Sequence, residues 1–366
     1  MKAVFSTKPS VKEAVSDIKS QLAGYEARAV LYFASPTYDF EELAGTMENS
    51  FATASTFGCS TAGEIVSGRL LKNSLVAMAF GRDTVEDIAV ETVEDISGAC
   101  DVKKAFSAFE KHFGEQPQKM DYRKYLGIVL ADGLSMAEEK LIEKIGDLTD
   151  VPFVGGSAGD NLEFKKTYVC AGPKALSNAA VLALIKAGRE FEIIKTQSFD
   201  ALNKKLLATK VDESKRVVLE FNNRPAVEAY ALAVGVPPSE VQHFFMTHPV
   251  GVLAGDDIYV RSPRQVEGKG LAFYCSILEG MEVNLLQDRD IVGDTWYAIK
   301  AAKKKMGRIS GLVVFNCILR TLALEKNGET GAYGGLFADV PSVGFSTYGE
   351  AYNGHINQTA TMIAFK

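Results

Sequence analysis

The chain has 366 residues, a length that suits two domains better than one small core. Apolar residues make up 47% and charged residues 23%, so a folded globular chain is expected and extensive disorder is excluded. A formal net charge of -6 argues against a general electrostatic attraction to nucleic acid or to an anionic membrane.

The opening residues, 1–9, hold no apolar core of signal-peptide length, and no apolar run approaches the roughly 18 residues that span a bilayer. Cys59, Cys100, Cys170, Cys275 and Cys317 are scattered and form no C-x-x-C, which fits a reducing compartment and excludes a zinc ribbon. The expectation is a cytoplasmic protein with no membrane insertion and no nucleic-acid partner.

The first predicted strand covers residues 29–34, an apolar run of the kind buried on both faces of a sheet. A helix is predicted over 40–51. Residues 58–64 then read G-x-S-T-x-G-E, and a strand opening on Asn73 follows. The order returns with a strand at 126–131, a helix at 135–148, the turn Gly155-Gly156-Ser157-Ala158-Gly159-Asp160, and a strand opening on Asn178. Ser135 and Glu138 have capping-box spacing at the start of that helix. A third passage has a strand at 311–315, G-x-S-T-x-G-E again at 344–350, and a strand opening on Asn357. Phe33 to Gly58 and Leu130 to Gly155 are both 25 positions, while Phe315 to Gly344 is 29 and rich in glycine.

The segment between the second and third passages, residues 186–307, does not match them. It holds a strand at 217–221, a turn at Asn222-Asn223, Pro225 opening a short helix, several strands, and a helix over 293–305 whose Lys303 to Lys305 run reads as a solvated face. The predicted class is α/β: two domains with mixed β-sheets flanked by helices, built from strand-helix-strand-turn-strand units. The boundary falls near residues 222–226, giving domains 1–222 and 223–366.

Glycine-rich turns admit positive φ and let a ligand approach the backbone. Their successive N–H groups form nests for anions, and Ser and Thr hydroxyls add adaptable partners. A closing acid complements an ammonium group or fixes the turn. The candidate ligand-binding residues are therefore Ser60, Thr61 and Glu64, Ser157 and Asp160, and Ser346, Thr347 and Glu350, with a zwitterion or small anion as the ligand. Arg261 and Arg320 lie beside predicted strands among apolar residues; each needs a partner there and could clamp a ligand carboxylate.

These residues resemble the FIST family, N-terminal plus C-terminal parts, over nearly the whole chain. The resemblance is carried by residues 58–64 and 151–160, the junction at 224–230, and then Tyr259-Val260-Arg261-Ser262, Glu279-Gly280, residues 316–320 and 344–350. It implies a sensory module for small ligands, with amino acids proposed, acting in signal transduction. The chain has no room for an output domain, so the resemblance implies a separate partner such as a histidine kinase. It also implies an alternative, a haem-binding nitric oxide sensor. His248 and His355 are the candidate haem ligands, since one axial His can hold haem. A ligand-free interaction protein is the third reading. Catalysis is not expected: the Ser60 motif is no G-x-S-x-G elbow, and neither a dinucleotide fingerprint nor a P-loop is present.

Overall fold

The computed structural model describes residues 1–255, 257–352 and 354–366. Two compact units divide the chain. One holds Met1–Lys195, Thr295–His355 and Ala360–Lys366; the other holds Thr196–Asp294 and Ile356–Thr359.

The first unit opens with β1 (Lys2–Ser6), α1 (Val11–Gln21), β2 (Ala29–Ala34), α2 (Phe40–Ser50), β3 (Ser55–Ser60), the hairpin β4 (Glu64–Val66) and β5 (Arg69–Leu71), and β6 (Leu75–Phe80). The next stretch keeps this order: β7 (Val85–Glu94), α3 (Val102–Phe113), β8 (Tyr125–Ala131), α4 (Glu138–Gly146), β9 (Phe153–Ser157), the hairpin β10 (Val169–Ala171) and β11 (Lys174–Leu176), and β12 (Ala179–Ala187). It closes on β13 (Phe191–Gln197).

The chain then builds the second unit. This is an eight-stranded sheet of β14 (Phe199–Asp212), β15 (Val217–Phe221), β16 (Arg224–Pro225), β17 (Val250–Ala254), β18 (Asp257–Arg261), β19 (Pro263–Glu267), β20 (Gly270–Phe273) and β21 (Glu282–Asp288). Helix α5 (Ala226–Val234) packs Ala226 and Tyr230 into a core with Phe221 and Leu285. The chain finishes with α6 (Ile291–Met306), β22 (Gly311–Cys317), α7 (Ile318–Asn327), α8 (Thr330–Gly335), β23 (Ser342–Thr347), the short β24 (Glu350–Ala351) and β25 (His355–Ile356), and β26 (Thr359–Phe365).

Three six-stranded sheets share one strand order: β1-β6-β2-β3-β10-β11, then β7-β12-β8-β9-β24-β25, then β13-β26-β22-β23-β4-β5. In each, the two middle strands β2 and β3, β8 and β9, or β22 and β23 run parallel. Each sheet is finished by a hairpin from another part of the chain. Val66 of β4 faces Val343 of β23, Val169 of β10 faces Cys59 of β3, and Glu350 of β24 faces Gly156 of β9.

Alternation along the strands explains the layering. Leu31 and Phe33 of β2, Ile128 and Leu130 of β8, and Val313 and Phe315 of β22 enter one shared core, where Phe33 and Phe345 meet at 4.6 Å. On the other faces, Val30 and Tyr32 pack with Val15 and Leu43 of α1 and α2, while Val129 packs with Phe106 and Leu141 of α3 and α4. Each fully buried Leu or Phe here contributes about 1.5–3 kcal/mol.

One local expectation needs correction. Helix α4 starts at Glu138 with Ala137 at its cap, so Ser135 and Glu138 form no capping box. Met136 at φ 54 breaks the entry path, and the Ser135 hydroxyl donates to Asp132 O instead. In the glycine-rich third gap, for which the sequence reading draws no helix bounds, two helices form, α7 and α8.

Candidate functional site

The first glycine of each turn is required by strand proximity. A Cβ on Gly58 would lie 2.0 Å from Tyr32 O; on Gly155, 1.7 Å from Val129 O; on Gly344, 2.0 Å from Val314 O. The remaining turn residues bond to one another. Ala62 N donates to Ser346 O and Ser346 N to Gly63 O; Ser157 N donates to Gly349 O and Tyr348 N to Ser157 O; Gly159 N donates to Ser60 O. These contacts occupy backbone donors that the sequence reading offered to an anion.

The acids close the same junction. Glu64 is buried; its Oε1 meets the Thr61 hydroxyl, and its Oε2 accepts from Ser74 N at 3.1 Å and from Ser74 Oγ at 2.6 Å. Burial pushes its carboxyl up to about 7, against the pull of those Ser74 and Thr61 hydrogen bonds. Glu350 is likewise buried and bonded to Thr347. Asp160 accepts from the backbone N–H groups of Phe164, Lys165 and Lys166, and from the Tyr348 hydroxyl. Ser60 Oγ accepts from Tyr168 N, and Thr61 Oγ1 also reaches Ala34 O. Ser157 and Thr347 are buried as well. Asp132, which sequence reasoning missed, bonds Thr167 and the N–H of Asn178. The strand-opening Asn178 carried a local signal, but nothing local named Asp132 as its partner.

A cavity of about 300 Å³ lies beside this junction, lined by Gly63, Glu64, Leu70, Leu71, Lys72, Thr321, Glu325, Thr330 and Ser346. Register decides which side chains face it. Glu64 is the partner of Phe345 across β4 and β23, so its carboxyl shares the inner face with Phe345 and Val66. Ser346, next along β23, points the other way and meets Thr321 of α7 at 2.8 Å. Glu64 therefore borders the cavity with its backbone, and the carboxyl belongs to the buried junction. Lys72 Nζ and Glu325 form an ion pair at 2.6 Å on the cavity wall.

Arg320 sits in the first turn of α7, just after β22, and is buried. Its Nε donates to Asn316 Oδ1 at 3.1 Å and its Nη2 to Thr295 Oγ1 at 2.8 Å, while Tyr333 donates to the same Asn316 oxygen at 2.8 Å. Arg261 ends β18 in the second unit and donates to Ser276 O and Val260 O. The structure thus brings Ser346 to the cavity, ties Arg320 to it through Asn316, and gathers Ser60, Thr61, Glu64, Ser157, Asp160, Thr347 and Glu350 in the junction.

His248 belongs to the second unit. Its Nδ1 lies 3.0 Å from Thr247 Oγ1, its ring abuts Phe244, and partial burial lowers its pKa. His355 is buried, with its ring against Gly349. A second, open cavity of about 590 Å³ is lined by Tyr122, Arg123, Phe191 and Lys305 among others. His248 and His355 are not among the residues that line these two cavities.

The chain is thus of the α/β class, with a knitted glycine-turn junction and a small polar cavity at its side. The FIST N domain matches residues 28–224 and the FIST C domain residues 226–353, and the chain belongs to the FIST family. FIST domains are sensory domains of signal transduction. The chain is also similar to an uncharacterized protein of Methanocaldococcus jannaschii, with 22% identity over 247 residues. That match covers 63% of this chain and 48% of the relative, so the chain spans about half the length of the curated relative it matches. No helix among the described residues is long and apolar enough to cross a membrane.

Proposed function

We propose that this protein senses a small zwitterion of amino-acid size, bound in the cavity between β4, β5, β23 and α7, and reports it to a separate signalling protein such as a histidine kinase. One observation carries the reading: the Lys72–Glu325 pair on the wall of a cavity that also carries the Thr321, Thr330 and Ser346 hydroxyls. A zwitterion exchanges that pair for two, with its carboxylate on Lys72 and its ammonium on Glu325. The volume stands at the small end of the range of about 300–1,000 Å³ for ligand pockets, which suits an amino acid better than a nucleotide. The role is binding rather than catalysis. Five buried cysteines, scattered along the chain with no C-x-x-C, support a reducing compartment and a cytoplasmic site of action.

A thermal-shift screen of the standard amino acids tests the proposal, because a ligand that binds only the folded state raises its melting temperature. A concentration-dependent rise with at least one amino acid, abolished in Lys72→Ala, is expected. A flat response to the whole set would remove the reading.

A further inference from the structure

The buried network behind the cavity has a direction, set by the one member that can only donate. The Arg320 guanidinium has no acceptor atom, so the Asn316 atom facing its Nε at 3.1 Å is the amide oxygen. The Tyr333 hydroxyl donates to the same oxygen. Asn316 is thereby fixed with its amide nitrogen toward Thr321 Oγ1, at 3.0 Å, and toward Cys317 O, at 3.3 Å. Asn316 gives a hydrogen to Thr321 and takes none from it.

Thr321 and Ser346 together own two hydroxyl hydrogens. One is spent in the 2.8 Å bond between them, whichever of the two donates. The other finds no acceptor in Asn316, which presents its amide nitrogen. Both residues line the cavity and are otherwise buried, at 3% and 1% exposure, so the remaining hydrogen is left for whatever occupies the cavity. We propose that Asn316 and Arg320 are positioning residues that leave this hydroxyl pair with one hydrogen for the ligand, and that the carboxylate of the ligand docks at Ser346 and Thr321. The inference rests on the cavity being the ligand site. It adds which end of the ligand goes where: the carboxylate lies against the β23–α7 wall with Lys72 at hand, and Arg320 selects it without touching it.

Asn316→Asp reverses the wall. An aspartate beside Arg320 still accepts from the guanidinium and from Tyr333, but it also accepts the Thr321 hydrogen. Ser346 then donates to Thr321, and the cavity meets only acceptors. Neutron diffraction from deuterium-exchanged crystals of the full chain reads the wall directly, with no ligand needed. One deuterium of the Ser346–Thr321 pair pointing into the cavity is the expected result; a Thr321 deuterium pointing at Asn316 would overturn the relay.

The functional arm uses acetate as the probe, followed by the line width of its labelled carbon. Broadening with the parent protein and about tenfold weaker binding to Asn316→Asp are expected, the change that loss of one hydrogen bond to a charged group gives. Equal binding by the variant overturns the positioning role. No broadening with the parent overturns the carboxylate assignment, while the neutron map still decides the relay. The amino-acid screen separately decides whether the cavity is a sensor site.

Discussion

Glu64→Gln should remove a pH dependence that the parent protein carries. The carboxyl is 1% exposed, and its partners are the Thr61 and Ser74 hydroxyls and one backbone N–H. Neutral Glu64 satisfies the site in full: it donates to Thr61, which then donates to Ala34 O at 3.2 Å, while Ser74 donates to the carbonyl oxygen. Ionised Glu64 claims the Thr61 hydrogen and leaves Ala34 O short. Burial raises the folded carboxyl from 4.5 to about 7, so between those values the folded state holds a proton that the unfolded chain has lost. Stability from this group is therefore complete below about pH 4.5 and is lost as pH rises through about 7. At about 1.4 kcal/mol per pH unit, the loss is about 3 kcal/mol. Glutamine reproduces the neutral acid at every pH, its amide donating to Thr61. Urea unfolding of parent and variant at about pH 5 and about pH 8 provides the assay, read on the transition of the three-sheet unit. The variant should gain on the parent by about 3 kcal/mol across that range. A difference that does not change with pH would refute a buried, protonatable Glu64.

Three further outcomes follow from single contacts. Gly155→Ala drives a methyl into Val129 O, 1.7 Å from the ideal Cβ, and should cost about 3 kcal/mol or more, measured by urea unfolding. Lys72→Ala removes a pair whose lysine is 60% exposed, so it should change stability by less than about 1 kcal/mol in the same measurement while abolishing the amino-acid thermal shift. Tyr348→Phe deletes the hydroxyl that donates to Asp160 and accepts from Leu162 N at 2.8 Å. The 161–164 turn holds Asn161, Leu162 and Phe164 at positive φ, so its amides should lose protection in hydrogen exchange while those of β8 and β9 keep theirs.

The apolar runs at 29–34, 126–131 and 311–315 spelled out strands buried on both faces, and β2, β8 and β22 are such strands. The glycine turns were visible as turns because Gly and Asn are the residues that tolerate left-handed backbone; Asn73 and Asn178 take it at φ 56 and 48. In the third passage the left-handed position is Gln358, one beyond the Asn357 that the pattern pointed to. What could not be read is which sheet each hairpin joins. Three-residue strands such as β4 and β10 fit any edge, and their partners lie far along the chain, Val343 for Val66 and Cys59 for Val169. The cavity depends on that choice, because only the seating of β4 and β5 on β23 brings Lys72 to Glu325. Arg320 was legible as a cation in need of partners, but Asn316 and Thr295 are neutral groups that no charge pattern reveals. For the same reason Glu64 looked like a ligand acid: its strand parity, which turns the carboxyl away from the cavity, follows only from the register with β23.

Isothermal titration with the amino acid that gives the largest thermal shift tests the central claim most directly. One site per chain in the parent is expected, with affinity reduced about tenfold or more by Lys72→Ala and by Glu325→Gln, as loss of one charge-assisted hydrogen bond requires. Unchanged affinity in both variants, or no binding heat with any amino acid, would contradict a zwitterion held in this cavity.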